Sequence, residues 1–254
     1  MNILDDYVRK APANQNAIDI FKDAWTSRFP HRTGLTAGPI PLFEDARILW
    51  LVQQLGGIEG NSVLELGPLE GAHTYMLEKL GAREIVAVEG NAGAYLRCLI
   101  TKEIMRMDKA HFLLGDVNAY LEECELKFDL CVASGVLYHM RNPVRTLELL
   151  SKVSDKVFIW THFYEASICR PQLRFAPEPE ILQWRDVAIP QYQQSYGDVT
   201  QRSSFCGGNA EYSIWLEKSS IETVLEQLGF TQIIQMGIQL DHPSGPAYSL
   251  LALR

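Results

Sequence analysis

The sequence has few cysteines, and their spacing fits neither a zinc site nor a disulfide framework. The five cysteines are Cys98, Cys124, Cys131, Cys169 and Cys206, with no CxxC pair and no nearby Cys/His set. Disulfide-stabilised domains are short and rich in cysteine, so reduced, idle thiols are the simplest interpretation here. We therefore expect no metal site and no disulfide scaffold.

Long hydrophobic runs and export signals are also missing. No apolar stretch reaches the length of a membrane-spanning helix, and the first residues, MNILDDYVRK, lack the pattern of a secretory signal. We find no internal repeat and no low-complexity tract. These absences predict a cytoplasmic protein that does not contact a membrane.

Positive charge is scarce as well. The chain has 23 Lys and Arg against 31 Asp and Glu, a formal net charge of -8. This balance argues against a broad nucleic-acid surface, although a local basic patch stays open. The 254 residues, 47% of them hydrophobic, suffice for one large α/β domain.

From Val63 onward, short apolar strands alternate with amphipathic helices. The strand candidates are VLEL, EIVAVEG, HFLLGD, FDLCVAS and KVFIWTHF. Parallel strands need such helical crossovers, so a parallel sheet covered on both faces is predicted. Near the end, TQIIQMGIQL and AYSLLALR are joined by DHPSGP, which is too short for a crossover. We predict an α/β, Rossmann-like, doubly wound sheet of seven strands, the last one antiparallel.

Two segments lie outside this alternation. In residues 1–60, the spacing of Ile18, Phe21, Trp25 and Phe29 predicts an amphipathic helix, followed by another at DARILWLVQQLGG; together they form a helical preface or lid. Within the main domain, 61–254, residues of about 163–219 are too irregular for a core layer and are predicted to form an inserted cap. The cap ends at SSIETVLEQLGF, where Ser219 and Glu222 have capping-box spacing.

Polar residues follow the first four strands of the predicted sheet. The four strand ends are Glu65-Leu66-Gly67, Glu89-Gly90-Asn91, Gly115-Asp116-Val117 and Ser134-Gly135. In an open α/β sheet, ligands bind beyond the carboxyl ends of the strands, so these residues are expected to face one crevice. Glu89 follows Gly67 by about 20 residues, the distance at which an acid can bind ribose hydroxyls. A nucleoside-like ligand is therefore predicted.

With these motifs the sequence resembles the class I S-adenosylmethionine-dependent methyltransferases over roughly residues 63–254. ELGPLEG resembles the family's glycine-rich first motif, VEGN its ribose-binding acid and GDV its adenine-contacting acid, and the closing hairpin is the fold's usual ending. The run GVLYH is similar to that of the tRNA wobble-uridine 5-oxyacetate synthases. Leu69 stands where the family usually has a third glycine, and the basic N-terminal tRNA machinery of that branch is not apparent.

The resemblance implies S-adenosylmethionine as cofactor. The residues it implies for cofactor binding are Glu65, Gly67, Pro68, Gly71, His73, Glu89, Gly90, Asn91, Asp116, Val117, Ser134 and Gly135. Other roles remain open for several of these: turn glycines, a solvated acid or helix cap at Glu89, and helix caps at Asp116 and His73.

Candidate catalytic residues come from the later strand ends. His139 can contact the cofactor, the substrate or the core, while His162 and Tyr164 follow the fifth strand and either face substrate or pack under the cap. Tyr138 is expected in the core, and His31, His111 and His242 have no supporting constellation.

The predicted activity is in-line transfer of a methyl group to a small-molecule acceptor. The cap arginines could enclose an anionic or aromatic acceptor or stack RNA bases; they are Arg170, Arg174, Arg185 and Arg202. Modification of a tRNA wobble uridine and non-catalytic cofactor binding are the alternatives. A nicotinamide-dependent dehydrogenase fits less well, because GPLEG lacks the GxGxxG spacing.

Overall fold

Ten strands form two sheets in the computed structural model, which describes residues 7–172, 174–197 and 207–254. Cys206 and Arg202 lie outside the described residues. The strands are β1 (Ser62–Leu66), β2 (Glu84–Glu89), β3 (Ala110–Leu114), β4 (Leu130–Ser134), β5 (Lys156–His162), β6 (Glu180–Trp184), β7 (Val187–Ser195), β8 (Tyr212–Leu216), β9 (Gln232–Gln239) and β10 (Ala247–Leu253).

The central sheet confirms the predicted topology. Its seven strands lie in the order β3-β2-β1-β4-β5-β10-β9. Strands β1 to β5 pair in parallel, whereas β10 is antiparallel to both β5 and β9, with Ala247 opposite His162. All five residues of β1 are buried, as expected for a parallel strand covered on both faces.

Helices cover both faces of the central sheet. They are α1 (Asn14–Asp19), α2 (Ala46–Gln54), α3 (Ala72–Lys79), α4 (Ala92–Met105), α5 (Val117–Glu123), α6 (Pro143–Val153), α7 (Ala166–Cys169) and α8 (Lys218–Gln227). One apolar cluster contains residues of α2, α3 and α4, and a second contains residues of α5, α6 and α8. No helix in the described part of the chain combines the length and apolar character needed to cross a membrane.

The predicted N-terminal helix is much shorter than its apolar spacing suggested. It ends at Asp19, and Trp25 and Phe29 reach the core from non-helical chain. The backbone N–H groups of Thr26 and Ser27 donate to the Glu70 carboxylate at 2.8 and 2.7 Å instead of joining a helical ladder. The prediction of a helix through Phe29 was wrong because a distant carboxylate satisfies these backbone donors.

Part of the segment predicted to be an irregular cap is a three-stranded antiparallel sheet in the order β6-β7-β8. Pro190 lies in its middle strand, and proline usually marks a strand as an edge. It is tolerated because pairing of β7 with β8 begins only at Gln191. Ile189, Ile214 and Leu216 bury their side chains in the core cluster that contains α6.

The capping box predicted for α8 is absent. The helix begins at Lys218, with Glu217 at the N-cap and no side-chain capping hydrogen bond, so Ser219 lies inside the helix. Glu222 forms an ion pair with Lys218 at 2.9 Å.

Glu70 is the fully buried acid of the turn after β1, and it also forms an ion pair with the nearly buried Arg97 of α4 at 3.2 Å. We expect Glu70→Ala to lower the free energy of unfolding by about 3 to 5 kcal/mol, because the buried guanidinium then loses its carboxylate. Urea unfolding measures this loss. Glu125→Ala, at an exposed position, is the control, and a loss below about 1 kcal/mol for Glu70→Ala would contradict the role of this pair.

Candidate functional site

A cavity of about 1450 Å³ opens at the carboxyl ends of the parallel strands, and we call it the central cavity. Its walls come from the N-terminal segment, the strand ends, the residues before β8 and the β9–β10 hairpin. Twelve of the predicted site residues line it: Gly67, Pro68, His73, Glu89, Gly90, Asn91, Asp116, Val117, Ser134, Gly135, His139 and His162. Glu65, Gly71 and Tyr164 are not among its lining residues.

The turn after β1 has the conformation of a glycine-rich loop. Gly67 has φ +61°, and a Cβ there would lie 2.8 Å from the side chain of Val136. Leu69, at the position of the family's third glycine, also has a left-handed φ of +58°. Gly71 is the N-cap of α3 and faces Phe112 in the core, so its role is in the turn and not at the cavity.

Glu89 joins two loops at the edge of the central cavity. Its carboxylate accepts the backbone N–H of Leu69 at 3.0 Å and that of Asn91 at 2.8 Å. Burial raises the pKa of Glu89, and these hydrogen bonds partly oppose the shift. The side chain is only 8% exposed, which excludes the interpretation as a solvated acid at a strand end.

Glu65 lies beneath the cavity floor. It is 2% exposed, and the Thr74 hydroxyl donates to its carboxylate at 2.5 Å. Burial raises the pKa of Glu65 to about 7, opposed by the Thr74 hydrogen bond and reinforced by the nearby charge of Glu89. Glu65 therefore ties β1 to α3 and is not among the residues that line the cavity.

Asp116 caps a helix, which is one of the two roles considered for it. It also lines the central cavity, where contact with an adenine would place it. One carboxylate oxygen accepts the backbone N–H of Ala119 at 2.9 Å and caps α5. The other accepts from Asn209 Nδ2 at 3.1 Å. Asn209 lies just before β8, and no local sequence signal connected it with Asp116.

The N-terminal wall contributes a cluster of charged residues that the sequence did not reveal. Asp45 caps α2 by accepting the backbone N–H of Arg47, and its carboxylate binds the Arg47 guanidinium and His73 Nε2, the latter at 2.8 Å. Burial alone would raise the pKa of Asp45, but the two hydrogen-bonded partners hold it well below its usual range. His73 is thus bonded to a side chain of the N-terminal preface, and this bond does not cap its own helix. Arg47 lies over the Trp160 ring, 4.3 Å from its centroid.

His139 lies in the 3₁₀ helix Leu137–His139 at the end of β4. Its Nδ1 is 2.7 Å from the Tyr196 hydroxyl, and burial lowers its pKa to about 3. Gly208 packs against it so closely that a Cβ would lie 2.4 Å from the His139 carbonyl oxygen. The residues before β8 thereby close onto the end of β4.

Histidine and aromatic rings form the wall beyond β5. His162 stacks on Trp215 with ring centroids 5.2 Å apart and planes within 6°. His242 lines the cavity 4.9 Å from the His162 ring and 5.9 Å from Trp160, so the expectation that it has no supporting constellation was wrong. Its neighbours lie far away in sequence, which is why spacing gave no signal. Tyr138, expected in the core, also lines the cavity, 4.5 Å from the His162 ring.

Tyr164 and the described cap arginines do not line the central cavity. Tyr164 stacks on Tyr192 with ring centroids 3.4 Å apart and does not line the cavity, so its predicted catalytic position is not supported by the geometry. The described cap arginines contact cap or hairpin residues and are not among the lining residues; they are Arg170, Arg174 and Arg185. Among the described residues, the arginines that line the cavity are instead Arg47 and Arg141.

Burial shifts the pKa of His162, and this shift makes the stability of the protein depend on pH. It lowers the pKa of His162 from 6.5 to about 4, aided by the charges of His242 and Arg174 and opposed by hydrogen bonds to the Pro246 and Gly245 carbonyls. Between these pH values the unfolded chain binds a proton that the folded protein does not. Stability contributed at this position is therefore lost as the pH falls through that window.

We expect His162→Gln to weaken the pH dependence of stability by about 1.4 kcal/mol per pH unit between pH 4 and 6.5. Urea unfolding at several pH values measures the slope. His111→Gln, at an exposed position on β3, is the control. Equal slopes in the His162 variant and the parent protein would contradict burial of a neutral imidazole.

Comparison with known proteins supports the fold and a distant sequence relationship. No protein-family model matches the chain. A tRNA U34 carboxymethyltransferase from Campylobacter hominis is 29% identical over 132 residues, which are 50% of this chain and 46% of that enzyme. The match therefore spans about half of each protein.

Solved structures with the same architecture contain S-adenosylmethionine or its product. The N-terminal domain of EvdMO1, crystallised with S-adenosylhomocysteine and D-fucose, has a TM-score of 0.69 at 18% identity, covering 94% of both chains. Magnesium protoporphyrin IX methyltransferase from Synechocystis, with bound S-adenosylhomocysteine, has a TM-score of 0.54 at 16% identity, covering 82% of this chain and 80% of that one. With its strand order and antiparallel β10, the chain has the fold of the class I S-adenosylmethionine-dependent methyltransferases.

Proposed function

We propose that this protein transfers a methyl group from S-adenosylmethionine to a small-molecule acceptor. The observation that carries the proposal is the joint placement of Glu89, Asp116 and the Gly67 turn around one cavity, in a fold shared with proteins crystallised with that cofactor or its product. Sequence spacing alone assigned the same three strand ends to a nucleoside-like ligand.

The cofactor is assigned to the half of the central cavity nearest β1 to β4. Glu89 would bind the ribose hydroxyls, because a buried carboxylate whose backbone bonds fix it at the cavity edge is a strong acceptor. Asp116 and Val117 would contact the adenine, with Asn209 holding in place the Asp116 oxygen that does not cap α5. The turn from Gly67 to Leu69 would lie along the methionine part, since Gly67 lines the cavity and has no side chain to keep a ligand from its backbone.

The demands on the protein's own residues are modest. When bound, the cofactor supplies a methyl group already activated by its sulfonium. The protein must hold the acceptor in line and exclude water, and orientation of this kind is worth about 7 to 11 kcal/mol in well-aligned reactions. We assign water exclusion to the N-terminal preface, 1–60, and to the cap of about 163–219, because residues from both line the cavity.

A small acceptor fits the shape and the charge of the cavity. Pockets for one ligand usually measure roughly 300 to 1,000 Å³, so about 1450 Å³ leaves space for a second molecule beside the cofactor. The described cap arginines, which could have stacked RNA bases, do not line this space. The net charge of -8 further weakens the case for a polyanionic substrate.

We expect Glu89→Ala to weaken binding of S-adenosylmethionine by about 10 to 150-fold, the loss typical of one charge-assisted acceptor. Isothermal titration calorimetry measures the affinity. Glu84→Ala, at the exposed opposite end of the same strand, is the matched control. Unchanged affinity in the Glu89 variant, with the control also unchanged, would remove the main support for the cofactor site.

Modification of a tRNA wobble uridine is the second candidate. It is favoured by the GVLYH run and by the 132-residue match to the Campylobacter hominis enzyme. Binding through several phosphates would make affinity fall steeply with salt.

The two candidates differ in turnover. We expect formation of S-adenosylhomocysteine with small hydroxy, amino or carboxy acceptors, and no saturable reaction with total tRNA. Salt-dependent modification of tRNA with no turnover on the small molecules would reverse the assignment. Cofactor binding with no turnover on either substrate class would indicate a non-catalytic binder.

A further inference from the structure

The half of the central cavity beyond β5 is chemically unlike the half assigned to the cofactor. The cofactor half contains the carboxylates of Glu89 and Asp116, whereas the half beyond β5 is lined by Tyr138, Trp160, His162 and His242. Asp45, which also lines the cavity, is already bound to Arg47 and His73, and Asp241 precedes His242 in the chain. A second molecule there would therefore meet mainly aromatic and imidazole rings, with Arg47 beside Trp160. We call these four side chains the ring wall.

The ring wall is held rigid by its packing. Tyr138 meets Trp160 edge to face at 5.8 Å, and Arg47 covers one Trp160 face. His162 is fixed by its stack on Trp215. Aromatic surfaces that are fixed in this way pack best against a flat or cyclic molecule.

The hydrogen bonds of His162 determine which of its nitrogens carries the proton. Nδ1 lies 2.9 Å from the Gly245 carbonyl oxygen and 3.2 Å from that of Pro246. Carbonyl oxygens only accept, so Nδ1 must be the protonated nitrogen. In a neutral ring, the lone pair is then on Nε2.

The hydrogen bonds of His242 give the opposite arrangement. The backbone N–H of Ser244 donates to His242 Nδ1 at 3.2 Å, so Nδ1 carries the lone pair. In a neutral ring, Nε2 then carries the proton. Burial lowers the pKa of both histidines, which agrees with two neutral rings near pH 7.

We propose that His162 and His242 together hold a hydroxyl group of a cyclic acceptor, which makes the protein an O-methyltransferase. His162 Nε2 accepts the hydroxyl proton, and His242 Nε2–H donates to the hydroxyl oxygen. Their rings are 4.9 Å apart on the same wall, so one small group can contact both. This inference rests on the proposed function, and it adds the acceptor class and a role for His242.

The reaction balances within this pair. The acceptor oxygen forms a bond to the methyl carbon while the carbon–sulfur bond breaks, and its electron pair stays on sulfur. The hydroxyl proton moves to His162 Nε2, so the positive charge of the sulfonium ends on the imidazolium. His162 then returns the proton to water. His162 is the catalytic base in this scheme, while His242 binds and orients the oxygen.

The tautomers can be tested without knowing the acceptor. Nitrogen-15 NMR of histidine-labelled protein near pH 7 should show His162 protonated at Nδ1 and His242 protonated at Nε2, with His162→Gln and His242→Phe used for assignment. Protonation of His162 at Nε2, or of His242 at Nδ1, would overturn the proposal.

The acceptor class can be tested with S-adenosylmethionine labelled with carbon-13 in its methyl group and an ultrafiltered bacterial extract. We expect the labelled product to show an O-methyl resonance. His162→Gln should slow its formation by roughly 10² to 10⁴-fold while cofactor affinity is unchanged. His242→Phe, which keeps a ring but removes the donor, should raise the acceptor KM by about 10-fold. His111→Gln is the control and should match the parent protein.

The outcomes separate this inference from the proposed function. Label on nitrogen, sulfur or carbon would overturn the O-methyl assignment and leave methyl transfer intact. O-methylation that proceeds at the parental rate in both histidine variants would also overturn it. No labelled product, even though the cofactor binds, would contradict the proposed function itself and this inference with it.

Discussion

The buried carboxylate of Glu70 is the constraint on which the shape of the central cavity depends. It satisfies the backbone of Thr26 and Ser27 and pairs with Arg97, so it joins the turn after β1, the N-terminal segment and α4. A fully buried charge is tolerated only when it is paired and hydrogen-bonded, which fixes these three elements relative to one another. The N-terminal segment can therefore supply a stable wall, including Thr26 and the Asp45 cluster, although it precedes the sheet in sequence.

The sheet and its ligand edge could be predicted because their signals are local. Each parallel strand is a short apolar run, and its length and spacing from the next helix determine the connection. The closing hairpin was predictable from the shortness of DHPSGP, and antiparallel pairing of β9 with β10 confirms it. Glu89 and Asp116 come to one cavity because parallel strands end at the same edge, a consequence of topology that needs no knowledge of side-chain contacts.

The rest depends on contacts between distant parts of the chain. A spacing of three and four is compatible with a helix, but Trp25 and Phe29 fill the same core from irregular chain because Glu70 takes the backbone donors between them. The sequence did not predict strand β7 because it contains Pro190. A proline fits in this middle strand only because pairing with β8 begins after it. His242 had no signal because it lies in the turn between β9 and β10, whereas its ring neighbours, Trp160 and His162, belong to β5, far away in sequence. Of the residues that line the cavity, sequence pattern therefore found those near β1 to β4 more completely than those near β5 and the C-terminal hairpin.

This difference follows from what each half must do. In the proposed function, the cofactor half recognises a nucleoside through carboxylates and backbone groups at strand ends, positions that the fold itself defines. The half proposed for the acceptor is assembled from side chains of β5, the end of β4 and the C-terminal hairpin, and burial lowers the pKa of His139 and His162 because it disfavours their charged form. A lowered pKa makes His162 a weaker base than free imidazole, yet it keeps the ring unprotonated and ready to accept a hydroxyl proton at neutral pH. Burial thus sets the pKa values of the histidines in this half of the cavity. Which residues are buried together is visible only in the folded chain.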